Sequence, residues 1–395
     1  MKILYVDTFA HGINPSNSNF PLVINKIGNV KFFGPSFVSK KTLDEGIVKF
    51  IDKHNNFDFM IIGPNTNIFY LYKDINIHLN DFVKFTAFSD NINIIRSFYK
   101  DLLENLSNIT IKNKVYSMFL IDQYALNKNH IKVLDKYNFY LFSPNENFFP
   151  LLKSLPNWAT NEEFYKRKAN NFDDSWKTYL KTNKHKIISC LHYVTDNEFV
   201  LKDLSSRKYD VAVPGIMYAK RKSMKNKIKK SQYKFFNNYF SVFLRLLNRL
   251  KFPIYKDFIS LNLYNLSFRK SLIDSKYVFT EGGGFNAPVR KFFEITAANC
   301  LLLTRKPHSF SDLGYRENID YVEADEENIF RKLDYFEKNT DEAQKIANNG
   351  FNVTYKNHSL SARSSQIKAC LLTIMDGTFN GSCWEKGKYK IEIKK

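Results

Sequence analysis

Short apolar runs bounded by turn-forming residues, with stretches of helical periodicity between them, recur along the whole chain. In the first half they fall at Ile3 to Val6, Val30 to Phe33, Phe57 to Ile62, Val115 to Ile121, Phe139 to Phe142 and Ile187 to Leu191. A second series follows at Tyr209 to Val213, Tyr277 to Thr280, Cys300 to Thr304 and Ile319 to Val322. Strands this short and uniformly apolar are buried on both faces, and the helices between them supply the crossovers that parallel strands require. The pattern predicts an α/β chain with two largely parallel sheets, hence two Rossmann-like domains. At 395 residues and 44% hydrophobic, the chain is long enough to bury two cores of ordinary size. We place the first domain at residues 1–204, the second at 205–375 and a basic C-terminal tail at 376–395, with the polar stretch Thr195 to Arg207 as the hinge.

The opening Met1-Lys2-Ile3-Leu4-Tyr5-Val6-Asp7 meets an acid after four apolar residues, too soon for a signal peptide, so it reads as a buried first strand. No window approaches the roughly 18 uncharged apolar residues of a membrane span. A cytoplasmic protein is expected. Its four cysteines, Cys190, Cys300, Cys370 and Cys383, are scattered without C-x-x-C or metal-ligand spacing, and read as reduced thiols.

The formal charge of +20 implies anionic company: nucleotides, phospholipid head groups or a phosphorylated acceptor, with nucleic acid less favoured. Much of that charge is local. From Val211 to Lys256 there is no Asp or Glu, while Lys220, Arg221, Lys222, Lys225, Lys227, Lys229, Lys230 and Lys234 crowd together. Phe235, Phe236, Tyr239, Phe240, Phe243, Leu246 and Leu247 then supply an apolar face at helical spacing. Such a segment fits an anionic membrane surface or serves as a solvated face on a core helix.

The stretch richest in chemistry runs from Lys276 to Cys300. It reads as strand, then the glycine loop Glu281-Gly282-Gly283-Gly284, then a helix with Asn286 as N-cap and Pro288 in its first turn. Glycines let backbone amides approach a ligand closely, and a helix N-terminus adds partial positive charge, which together make a phosphate site. Arg290 and Glu294 stand one turn apart. An ordinary i,i+4 ion pair would explain them, but Arg before Glu is the weaker order and a first-turn cation opposes the helix dipole. A bound anion would explain Arg290, and Glu294 could then accept from a ribose diol. Gly282, Gly284 and Ala287 also spell G-x-G-x-x-A, the dinucleotide fingerprint, but the turn comes late in its domain and Thr304-Arg305-Lys306 stands where an acid should. NAD is disfavoured; NADP on an oxidoreductase stays open as the weaker alternative.

The run from Val289 to Thr304 resembles the R-x-F-E-x-x-A-C-G-x-x-L-L-T segment of CgeB-like family-one glycosyltransferases. Three further pieces agree in order: Tyr209 to Arg221 with Gly215, Ser275-Lys276, and Asn357-His358-Ser359-Leu360-Ser361-Ala362-Arg363, which is similar to the family's H-T-x-x-x-R signature. The resemblance covers about residues 205 to 372. It implies a GT-B fold, two Rossmann-like domains facing across a cleft, with a nucleotide diphosphate-sugar donor held by the second domain and the acceptor by the first. Glu294 matches the second glutamate of the E-x7-E pattern, and Asn286 takes the place of the first. The donor-side residues so implied are Gly215, Arg221, Glu281, Gly282, Gly283, Gly284, Asn286, Arg290, Glu294, Thr304, His358 and Arg363.

A base would be needed if the enzyme inverts, since an acceptor hydroxyl must lose its proton to a carboxylate or imidazole. His11, Asp122 and His192, each at a strand end, are the candidates. No D-x-D occurs, so no metal site is expected and the leaving diphosphate would be stabilised by loop amides, the helix dipole and Arg290. The expectation is metal-independent glycosyl transfer to a surface-glycan, lipid-linked or protein acceptor, with no resident cofactor, by an enzyme peripheral on the inner membrane face. The alternative is a non-enzymatic nucleic-acid or membrane-binding protein on a transferase-like fold.

Overall fold

The computed structural model describes residues 1–12, 15–54, 56–66, 86–88, 92–117, 128–143, 175–215, 219–250, 258–282 and 287–394. Eight strands precede residue 200: β1 (Lys2–Val6), β2 (Ala10–Gly12), β3 (Asn29–Phe33), β4 (Phe59–Ile62), β5 (Thr86–Phe88), β6 (Asn113–Ser117), β7 (Tyr140–Ser143) and β8 (Ile187–Ser189). Six of them form one sheet in the order β3-β1-β4-β6-β7-β8, every pair parallel. Both faces are buried, as the uniform apolar runs require. Leu4, Val6, Met60 and Ile62 feed the core on one side, while Ile3, Tyr5, Phe59 and Ile61 feed the core on the other. Strands β2 and β5 form a separate antiparallel pair with His11 opposite Ala87.

The second series yields β9 (Tyr209–Ala212), β10 (Ser275–Thr280), β11 (Leu301–Thr304) and β12 (Val322–Glu323), a parallel sheet in the order β12-β11-β10-β9. Alternate residues again divide between two cores: Tyr277 and Phe279 to one side, Val278 and Leu302 to the other. The fold class is the expected one, two sheets of Rossmann type.

Seven helices bear on the site: α1 (Phe20–Asn25), α2 (Ala219–Lys229), α3 (Tyr239–Arg249), α4 (Phe258–Ile273), α5 (Arg290–Ala297), α6 (Thr340–His358) and α7 (Leu360–Met375). The chain does not end in the second domain. Helix α7 crosses back, its Leu360, Ile367, Cys370, Leu371 and Ile374 buried in a core of the first sheet, and Ser364 donates to the Val23 carbonyl of α1 at 3.2 Å. Residues 376–395, expected as a basic tail, instead include the antiparallel hairpin β13 (Phe379–Glu385) and β14 (Lys388–Ile393). Lys388, Tyr389, Lys390, Ile391, Glu392 and Ile393 alternate in character, which is strand periodicity rather than a charged tail. Tyr389 donates to the Ser189 carbonyl at 2.9 Å, fixing the hairpin to the end of β8.

The expected hinge is pinned rather than loose. Arg207 is buried and its guanidinium donates to the carbonyls of Lys202, Leu272, Ser275, Ala298 and Asn299, at 2.7 to 3.1 Å. It thereby satisfies backbone oxygens that the C-terminal ends of α4 and α5 leave without helical partners.

Candidate functional site

Strand β10 delivers Glu281 and Gly282, both buried, to the carboxyl edge of the second sheet. The Ala287 amide donates to the Gly282 carbonyl at 3.1 Å and closes the glycine loop, while Ala287 itself is fully buried in the core cluster of the first sheet. Gly283, Gly284 and Asn286 lie outside the described residues. Helix α5 starts at Arg290, so Asn286 is not its cap. The cap falls instead to Val289 (φ −88°, ψ 160°). Val289 has no side-chain acceptor, so the first-turn amides of α5 have no side-chain cap from it.

Three cations gather about this helix start. Arg290 is buried. Its Nη2 donates to both carboxylate oxygens of Glu198, at 2.7 and 2.6 Å, and its Nη1 to Glu294. Glu198 comes from the 195–207 segment, where it also closes a capping box with Thr195. Burial alone would raise the Glu198 carboxyl; Arg290 and the Thr195 hydrogen bonds hold it below the usual range. The anion demanded by a first-turn arginine is therefore supplied, from 92 residues away, by the chain itself. Sequence reasoning missed Glu198, although the spacing Thr195-x-x-Glu198 is a capping-box signal.

Lys291, the next residue, is different. Its ammonium has no hydrogen bond or ion pair among the described residues, and burial pushes it well below the usual lysine range, with Arg221 adding to that push and Glu281 opposing it. It lies against Gly215, where a Cβ would fall 2.5 Å from Nζ; the backbone there has φ +89°. Only glycine suits that position. Arg221 is buried at 1% exposure, and its Nη2 donates to the Glu281 carbonyl at 3.0 Å. Gly215, Arg221, Glu281, Gly282, Arg290 and Glu294 are thus brought together with Lys291, which the sequence reading did not single out.

His192, Arg363 and His358 form a seam beside Arg290. His192 Nδ1 stands 3.3 Å from Ser16 Oγ, and Arg363 Nη2 donates to the His192 carbonyl at 3.3 Å. Burial, then Arg290 and Arg363, depress the His192 imidazole to about 3, so it is neutral and a poor proton acceptor in this state. His358 is fully buried among Phe293, Tyr315 and Trp384, with Nε2 donating to the Leu313 carbonyl at 3.0 Å; burial and Arg363 depress it to about 3. The bridge Val194 to Ser359 stitches these segments together. Thr304 is buried at the end of β11, its hydroxyl donating to the Arg305 carbonyl at 2.8 Å. His11 sits on β2, and Asp122 lies outside the described residues.

A second polar centre was not foreseen. Asp7 follows β1 and Asn65-Thr66 follow β4, the two strands between which the first sheet reverses its order, where doubly wound sheets bind ligands. Asp7 is fully buried and accepts from Tyr5, the Thr8 amide, Asn65 and Thr66, at 2.7 to 3.2 Å. Burial raises its carboxyl to about 7 against the pull of those donors. By contrast, a concavity of about 590 Å³ lined by Lys202, Asn299 and Asn348 lies at the C-terminal end of α5, away from the gathered cations. Among the described residues no group of three His, Cys, Asp or Glu could hold a metal ion, and no helix is long and apolar enough to cross a membrane.

Residues 197–369 match the family model described as glycosyl transferase-like. The second half of the chain is therefore similar to glycosyl transferase-like domains. The search of curated proteins finds no match. Among solved structures, HepE from Anabaena, in complex with UDP and glucose, is 9% identical with a TM-score of 0.51, covering 94% of this chain and 100% of that one. The sucrose-phosphate synthase of Thermosynechococcus elongatus is 7% identical at 0.47 (96% and 100%), and the lipopolysaccharide outer core galactosyltransferase WaaB 10% at 0.46 (95% and 100%). The shared fold is GT-B.

Proposed function

We propose that this chain transfers a sugar from a nucleotide diphosphate donor, with the diphosphate seated on Lys291, the first-turn amides of α5 and the Gly215 turn. The observation that carries the reading is the Lys291 ammonium: half-buried against the Gly215 turn, without an ion-pair partner among the described residues, at a helix start next to a glycine loop. A buried cation without a counter-ion is costly, and a ligand anion removes that cost. Glu294 is the candidate for the donor ribose, because a carboxylate accepts at two oxygens and Arg290 is also held by Glu198. Arg221 orients the Glu281-Gly282 backbone and adds positive potential.

The acceptor, a surface-glycan, lipid-linked or protein group, would bind across the cleft at the carboxyl edge of the first sheet, beside Asp7 and the strand bearing His11. We further propose that transfer is metal-independent, the leaving diphosphate being met by fixed cations and amides, and that the enzyme works in the cytoplasm, on the inner face of the membrane. Calorimetry of the full chain with UDP, GDP, CMP and their sugars tests the donor reading, UDP first because the HepE complex holds it. Saturable binding of one diphosphate nucleotide is expected. Binding of none of them would reject the proposal.

A further inference from the structure

We infer that α3, with the start of α4, is a docking surface for an anionic lipid bilayer. Helix α3 is apolar on two sides. Leu244 is buried against Tyr264 of α4, with Phe240 and Leu247 packed on the pair, so one side is spent on the protein core. The other side is not. Tyr239, Val242, Phe243, Leu246 and Leu250 stand exposed, at 75%, 53%, 52%, 53% and 60%. Their spacing of i, i+3, i+4, i+7 and i+11 puts them on one stripe. Helix α4 adds Leu263 and Leu266, exposed at 42% and 61%. Single exposed leucines are ordinary, but five large apolar residues in one stripe mark a surface made to be covered.

The charge around the stripe selects the occupant. From Lys234 to Lys256, the segment that carries the stripe, there are five Lys and Arg and no acid. A stripe of aromatic and aliphatic residues within a purely cationic segment matches the interface of a bilayer with acidic head groups, where rings and leucines enter the acyl boundary and cations stay with the phosphates. A second copy of this chain would bring the same positive charge to the contact and be repelled. At 11 residues α3 lies on the bilayer rather than in it.

Helix α4 also touches β2, the strand that carries His11 in the first domain. Docking through α3 and α4 would thus bring the acceptor side of the cleft towards the lipid surface, which selects a lipid-linked acceptor. That last step rests on the glycosyl-transfer reading; the docking itself does not.

The test is flotation of the full chain with phosphatidylcholine vesicles, with and without about one quarter phosphatidylglycerol, in moderate salt. Phe243→Glu/Leu246→Glu should lower the bound fraction on anionic vesicles about tenfold or more. Because both side chains are exposed, melting temperature and UDP binding in vesicle-free buffer should stay at wild-type values. In Phe243→Trp, the emission gained over wild type should shift to the blue on anionic vesicles only. Equal binding to neutral vesicles, no binding to either, or an unshifted emission from the added indole would overturn the inference. So would a concentration-dependent dimer that the double substitution disperses. If vesicles bind as expected while no nucleotide does, the docking surface stands and the donor reading falls; the reverse outcome separates them the other way.

Discussion

Replacing Lys291 by methionine should weaken donor binding and strengthen the fold at once. Methionine keeps most of the methylene volume but removes the charge. On the binding side, the loss is one charged hydrogen bond to a phosphate oxygen, about 1.5 to 3 kcal/mol, or roughly 10- to 150-fold in Kd. A nucleoside lacking the diphosphate should bind the variant and the wild type alike. On the stability side, the wild-type ammonium is half-buried, pushed down by burial and by Arg221, and has no ion pair among the described residues. Removing it should therefore stabilise the free protein by about 1 kcal/mol, raising the melting temperature by about 2 to 4 °C for a domain of this size. A pH series adds a third readout. Because the Lys291 pKa lies below that of an ordinary lysine, diphosphate affinity should fall with rising pH earlier than lysine titration would allow, and the variant should lack that fall. Calorimetry with UDP and uridine, and thermal melts without ligand, measure all three. A variant that keeps wild-type diphosphate affinity and melts lower would refute the reasoning, since Lys291 would then be packing rather than binding.

Glu294→Ala should weaken nucleoside and diphosphate nucleotide alike by about 1.5 to 3 kcal/mol, read by calorimetry, while Arg290→Ala should cost stability as well, because it leaves the half-buried Glu198 and Glu294 without their cation. Donor hydrolysis or transfer should survive EDTA; loss restored by Mn²⁺ or Mg²⁺ would reject metal independence. His358 is depressed to about 3, so the folded state holds it neutral while the unfolded chain takes up a proton near 6.5. Its contribution is present above that pH and lost as pH falls towards 3, about 2 kcal/mol between pH 7 and 5. His358→Phe, which suits the surrounding rings, should flatten the acid loss of stability in urea titrations by that amount. Asp7, raised to about 7, acts in the opposite sense over the same range and should persist in the variant.

Most strands of the two main sheets were legible because they are short runs of residues buried on both faces, a pattern that depends on local sequence alone; the edge strand β3 alternates exposed and half-buried residues before Phe33, and β12 shares only Val322 with the expected run Ile319 to Val322. Strands β2 and β5 were not, since Ala10-His11-Gly12 and Thr86-Ala87-Phe88 are three residues each and carry no alternation. The hairpin at 379–393 was legible in principle: Tyr389, Ile391 and Ile393 alternate with Lys388, Lys390 and Glu392, but the density of lysines suggests a solvated tail. At the site, glycines and helix start were visible in order, whereas the partner of Arg290 was not, because Glu198 reaches it through the fold. The helix itself starts later than expected, at Arg290 with Val289 as cap.

Position around α5 then separates two neighbouring cations. A step of one residue turns the side chain about 100° on a helix. Arg290 therefore faces the segment 192–198, where Glu198 holds it with both oxygens and Glu294 completes a three-charge cluster. Lys291 faces the Gly215 turn and Arg221, where no carboxylate among the described residues bonds it. An anion reaching Arg290 must compete with two carboxylates already in place, so its net gain there is small. The same anion at Lys291 displaces nothing and relieves a buried charge. The residue that looked most like the phosphate ligand thus ties the second domain to the 195–207 segment, and its neighbour is the one we propose as the anion ligand.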